Sequence, residues 1–205
     1  ASLAGGRKTV VDAVATVINL PAGELLRCLC WSADAKAFYA VENDGTVHKV
    51  SWPEAVEQKR LETGGTCSWA ALSKEGLVVL VQSLQEAWLL DAGTLELKRK
   101  FPVAGGYHFA ACPASSYAFF QRDRGNLDVF DLRTGKLAKT WVDREIQAQQ
   151  GPGIRKHKAG VTLSDFNFPT LTPDGKYLFC VGFECLHRFK VDGAGLVYQE
   201  MGPRI

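Results

Sequence analysis

VFDLRTGKLAKTW (residues 129–141) and TPDGKYLFCVG (residues 172–182) are the stretches on which the reading of this chain turns. In the first, an apolar run ending at Phe130-Asp131 enters a tight Thr134-Gly135-Lys136 turn and leaves through a second run, Leu137 to Trp141. In the second, Pro173-Asp174-Gly175 breaks the chain just before the apolar run Tyr177–Val181. Runs of β-branched and aromatic residues broken by turn residues at intervals of about ten positions indicate strands. Helical periodicity is confined to Val142–Gln150 (VDREIQAQQ), long enough for two turns.

Working outward from these stretches, the same layout recurs four times. CLCWS (28–32), CSWAALS (67–73), FAACP (109–113) and FPTLT (168–172) each open a unit. Each is followed by a turn, a second apolar strand, a short loop such as ENDG or RDRGN, a third strand, a DxxTGK-like turn and a fourth strand. Ser32 to Ser73 is 41 residues and Ser73 to Pro113 is 40; Thr172 follows 59 later, because an insertion at 143–162 interrupts the pattern. LVVLV (77–81) and YAFF (117–120) are apolar on both faces, as in a sheet sandwiched between neighbours. Four-stranded sheets repeating every 40 residues or so and stacked face to face are the signature of a propeller. The expected fold is therefore all-β, with blades of four antiparallel strands over 25–62, 63–103, 104–142 and 163–201. KTVVDAVATVINL (8–20), within a strand segment at 8–22, reads as the outer strands of a preceding blade, so the chain is expected to be an incomplete or half ring of about four blades.

The two opening stretches resemble the blades of the WD40-like and YVTN-like propeller superfamily, over about residues 25–200. No Trp-Asp dipeptide occurs and no Gly-His precedes the blades; Phe130-Asp131 and Leu90-Asp91 take the corresponding places. That shifts the likeness toward YVTN-like or quinoprotein-like members. The superfamily usually has six to eight blades, so the resemblance implies a fragment of a longer polypeptide or a ring completed by a second copy.

Lys+Arg 24 against Asp+Glu 22 gives a formal charge of +2, too even to suggest nucleic acid or an anionic membrane as the main partner. No apolar run approaches the roughly 18–20 residues needed to cross a bilayer. The six cysteines, Cys28, Cys30, Cys67, Cys112, Cys180 and Cys185, sit in apolar runs and read as small buried hydrophobes. Cys28 and Cys30 share one strand face, and Cys180 and Cys185 flank a turn across which they could pair. Without a CxxC pair or a Cys/His cluster, no zinc site is expected, and a cytoplasmic rather than a secreted setting is favoured.

Ligands of propellers bind mainly at the mouth of the central channel, on the loops between blades and between second and third strands. The resemblance directs attention there to Asn43-Asp44-Gly45, Gly64-Gly65, Tyr107 and His108 after Gly105-Gly106, and Arg122 with Arg124 around Asp123. The insertion adds the basic run Arg155, Lys156, His157 and Lys158, a docking loop for an acidic group or a solvated surface loop. His48, Trp88, Asp128 and His187 fall at one repeat position in the third strands and read as packing residues between blades. Asp91, Asp131 and Asp192 read as turn-stabilising. No GxSxG, HExxH or paired-carboxylate motif occurs, so neither catalytic residues nor a cofactor are assigned. The expected function is a non-enzymatic scaffold for a protein or peptide partner. The alternatives are a lactonase-like or quinoprotein-like propeller enzyme with an axial site, and a purely structural repeat module.

Overall fold

The computed structural model describes residues 25–105, 108–122, 126–142, 145, 148–149, 167–181 and 185–204. The N-terminal segment 8–22, Tyr107, Arg124 and the Arg155–Lys158 run lie outside the described residues. The chain forms four separate four-stranded antiparallel sheets, each in simple up-and-down order. Blade one is β1 (Leu26–Trp31), β2 (Ala37–Glu42), β3 (Thr46–Ser51) and β4 (Glu57–Glu62). Blade two is β5 (Cys67–Ser73), β6 (Gly76–Val81), β7 (Glu86–Leu90) and β8 (Leu97–Pro102), with one 3-10 turn at Gln82–Leu84. Blade three is β9 (Phe109–Ala110), β10 (Tyr117–Arg122), β11 (Asn126–Asp131) and β12 (Lys136–Val142). Blade four is β13 (Asn167–Leu171), β14 (Tyr177–Val181), β15 (Cys185–Asp192) and β16 (Gly195–Arg204). These are the blades of a β-propeller, stacked in chain order.

The stack is held by the two-faced apolar strands. Successive side chains of a strand point to opposite faces, so neighbouring residues plug different seams. Phe119 packs in the seam between blades three and four, with Leu178, Cys180 and Phe189. Phe120, the next residue, packs between blades two and three with Phe101, Phe109 and Phe130. Tyr39, Val41 and Val47 of blade one meet Val79, Val81, Trp88 and Leu90 of blade two. Polar tips lace the same seams. The Tyr39 hydroxyl donates to the Ala92 carbonyl at 2.7 Å, and the Trp141 indole N–H to the Ala194 carbonyl at 3.0 Å. Full burial of a side chain of this size stabilises by about 1.5–3 kcal/mol, so each seam is worth many times a single hydrogen bond.

The turns explain the recurring acids. Asp131 Oδ1 accepts from the Arg133 amide at 3.0 Å, and Asp91 Oδ1 from the amides of Gly93 and Thr94 at 2.8 and 2.9 Å. The Arg133 side chain beside Asp131 and the Lys98 ammonium beside Asp91 hold both carboxyls below the usual carboxylate range. Gly76 has φ of +145°, and a Cβ there would collide with the Leu90 carbonyl oxygen, which explains a glycine between Glu75 and Leu77.

Cys28, Cys30, Cys67, Cys112 and Cys180 are free thiols. Cys28 and Cys30 both pack on the seam between blades one and two, as their spacing on one strand required. Cys180 lies opposite His187 in the β14–β15 ladder, and burial pushes its thiol up to about 12. Glu145, Ala148 and Gln149 are the described residues of the insertion, and all three are helical. The Gln149 amide grips the outer edge of β16, donating to the Leu196 carbonyl at 3.0 Å and accepting from the Tyr198 amide at 2.7 Å. Among the described residues no helix is long and apolar enough to cross a membrane.

Candidate functional site

The first strand of every blade is an edge strand of its sheet, and β1, β5, β9 and β13 follow one another as neighbours. They are the inner strands, and they line an open cavity of about 320 Å³. Three consecutive residues of β1, β5 and β13 line it, Arg27 to Leu29, Trp69 to Ala71 and Pro169 to Leu171, together with β9 and the residue after it, Phe109 to Ala111. As edge strands they turn a row of backbone N–H and C=O groups toward the cavity, between mostly small side chains. Such a wall recognises shape and hydrogen-bonding groups and carries little charge of its own.

Charge and aromatic character enter through a few side chains. The Arg27 guanidinium donates through Nε and Nη2 to Asn43 Oδ1, at 2.8 and 2.7 Å. This double contact ties the lining residue to the loop between β2 and β3 and fixes the direction of its charge. Across the wall, the His108 ring stands edge-on to Trp69, with centroids 5.0 Å apart and an interplanar angle of 84°. Burial lowers the His108 pKa, which favours a neutral imidazole carrying one donor and one acceptor.

Arg122 ends β10 at the loop side, with its side chain 41% exposed and Nη1 3.7 Å from Asp128 Oδ2. Asp128 is itself anchored by the Thr140 hydroxyl at 2.6 Å. Arg122 is thus a braced cation that still reaches solvent. Of the loop residues singled out from the sequence, the structure describes Asn43, Asp44, Gly45, Gly64, Gly65, Gly105, His108 and Arg122. Tyr107, Arg124, Arg155, Lys156, His157 and Lys158 lie outside the described residues.

Arg27 and Trp69 escaped the sequence reading, although the repeat contains the clue. When Ser32, Ser73, Pro113 and Thr172 are superposed, Arg27, Ser68, His108 and Asn167 share one register position at the head of the inner strands. Of these four only Arg27 lines the cavity, and Trp69 stands one position further along its strand, so the shared register marks Arg27 alone. The third-strand set behaves differently. His48, Trp88, Asp128 and His187 are all buried, and each bonds within its own blade. His48 Nδ1 lies 2.6 Å from Glu57, Trp88 donates to Glu86 at 2.8 Å, and His187 Nδ1 lies 3.4 Å from the Tyr198 hydroxyl. Among the described residues no group of three His, Cys, Asp or Glu side chains is arranged to hold a metal ion.

Sheets of four antiparallel strands stacked about a lined axis define a β-propeller. No protein-family model matches the chain, and no curated protein is significantly similar to it. Among solved structures it is similar to dihydro-heme d1 dehydrogenase NirN in complex with DHE, also a propeller, with a TM-score of 0.60 at 17% identity. The match covers 90% of this chain and 38% of NirN, so the chain spans less than two fifths of that protein's length. At this identity the likeness speaks for the fold.

Proposed function

We propose that the protein is a rigid β-propeller scaffold that binds a protein or peptide partner at the cavity mouth, its acidic groups meeting Arg27 and Arg122. The observation that carries this reading is the wall itself: four edge strands offer main-chain donors and acceptors beside Trp69 and the braced guanidinium of Arg27. Main-chain groups combined with a few oriented side chains are how sheet-edge surfaces take extended peptides. The Arg155–Lys158 run would add further cationic contacts for the same partner. The resemblance to WD40-like and YVTN-like propellers supports a binding role, and free cysteines in two of the seams support a reducing compartment.

A propeller enzyme with an axial site is the second reading, favoured by the likeness to a dehydrogenase that carries a ligand. Panning a random peptide library against the immobilised protein separates the two. The scaffold reading expects enriched acidic peptides whose affinity falls at least tenfold for Arg27→Ala or Arg122→Ala. Peptides that bind both variants as well as the parent, or no enrichment at all, would overturn it.

A further inference from the structure

The outer edges of the blades are protected in two different ways. The fourth strand of each blade is an edge strand of its sheet, and such an edge offers its N–H and C=O groups to any chain that can pair with it. Blades one to three carry cations there, the residues that discourage such pairing: Lys59 and Arg60 in β4, Lys98 to Lys100 in β8, and Lys136 and Lys139 in β12. In β16 the stretch Gly195–Gln199 (GLVYQ) has no charged residue, and Val197 at its centre is 52% exposed. A side-chain amide sits on this edge instead. Gln149 Nε2 donates to the Leu196 carbonyl at 3.0 Å, and Gln149 Oε1 accepts from the Tyr198 amide at 2.7 Å. Donating to one residue and accepting from the residue two further on is how a residue of a parallel strand bridges its neighbour. The Gln149 amide thus imitates one peptide unit of a fifth strand, placed opposite Val197.

We propose that the outer edge of β16 is a strand-addition site, and that an extended, uncharged peptide segment of a partner protein replaces Gln149 on it. Three observations select this occupant. The amide already seated there makes the hydrogen bonds of a parallel strand, so a segment running parallel to β16 satisfies the same groups and extends them. The edge lacks the cations that guard the other three outer strands, so nothing on Gly195–Gln199 repels an incoming chain or selects a charged one. Val197 supplies an exposed apolar neighbour for a β-branched or aromatic residue of that segment. The site is separate from the axial cavity, because β13 and β16 are opposite edges of one sheet, three strand spacings or about 14 Å apart. The edge points away from the axis, so a blade packed on either face of blade four leaves it accessible. Gln149 makes this binding competitive. A segment must displace its two neutral hydrogen bonds, which lowers the apparent affinity by about tenfold.

The test uses Gln149→Ala in the 205-residue chain, alone and combined with Val197→Lys, which restores a guarding cation at an exposed position. Hydrogen exchange at the Tyr198 amide reads the edge directly and needs only the first variant. Exchange there should be about tenfold faster in Gln149→Ala than in the parent, with circular dichroism unchanged. A random peptide library panned against Gln149→Ala supplies the probe. Enriched peptides should carry alternating apolar residues, bind Gln149→Ala about tenfold more tightly than the parent, and slow the Tyr198 exchange again. Adding Val197→Lys should abolish their binding, whereas Arg27→Ala should leave it unchanged. Unaltered Tyr198 exchange in Gln149→Ala, or no enriched peptide, would overturn the proposal. So would peptides that ignore Val197→Lys, or that are lost with Arg27→Ala and therefore sit at the axial cavity. A Gln149→Ala chain that doubles its mass in light scattering would overturn a peptide as the occupant and show a second copy in its place.

Discussion

Replacing Phe120 with alanine empties the centre of the seam between blades two and three. The side chain is 2% exposed and touches three other rings, stacked on Phe109 at 4.7 Å and edge-on to Phe130 and Phe101 at 5.5 and 6.1 Å. Removing a buried phenyl group loses its transfer free energy and leaves a cavity, together about 3–5 kcal/mol. The three ring contacts place Phe120→Ala in the upper part of that range. In a chain of this length each kcal/mol moves the melting temperature by about 2–4 °C, so a fall of about 10 °C or more is expected. Urea titration followed by circular dichroism gives the free energy directly. Leu137→Ala, at a position 50% exposed, serves as the control and should change stability by less than about 0.5 kcal/mol. Phe119→Ala should match Phe120→Ala while acting on the neighbouring seam. A loss below about 1 kcal/mol for Phe120→Ala would refute the argument that the seams, rather than the individual sheets, carry the stability.

Thr140→Val removes the 2.6 Å hydroxyl contact to buried Asp128 and should cost about 1–3 kcal/mol in the same titration, whereas Arg122→Ala, at the exposed end of that network, should cost less. Gly76→Ala forces a Cβ against the Leu90 carbonyl at a positive φ and should lose more than about 1 kcal/mol. Asp34, Asp91, Asp131 and Asp174 all have lowered pKa values in the folded chain, through Ser32, Lys98, Arg133 and Thr172 respectively. Their contribution is therefore complete above the ordinary carboxylate pKa near 4, and melting temperatures should fall as the pH drops below it through the lowered folded values. Cys180, whose thiol is pushed up to about 12, should resist alkylation at pH 8 until urea unfolds the chain, as followed by mass spectrometry.

The strands and their antiparallel blades were legible because a propeller repeats one local pattern, and turn residues such as Thr134-Gly135 and Pro173-Asp174-Gly175 punctuate it at each pass. The stacking was legible too. Leu77–Val81 and Tyr117–Phe120 are apolar at both parities, which only a sheet covered on both faces can tolerate. The cavity was harder to see. Its lining residues, Arg27, Trp69 and Ala110 among them, are ordinary strand residues in the sequence, separated by some 40 positions or more. What unites them is that the first strand of each blade is the inner one.

Taken alone, the sequence determined the fold class, the four-strand unit and the faces that meet, because alternation and turn chemistry act within a few residues. Only the tertiary structure decided which side chains share a site. Phe119 and Phe120 are neighbours in the chain yet serve different seams, while Arg27 and Phe109 lie 82 positions apart and line the same wall. Proximity about a common axis is set by how blades pack, and packing depends on the shape of whole faces, which no local pattern encodes.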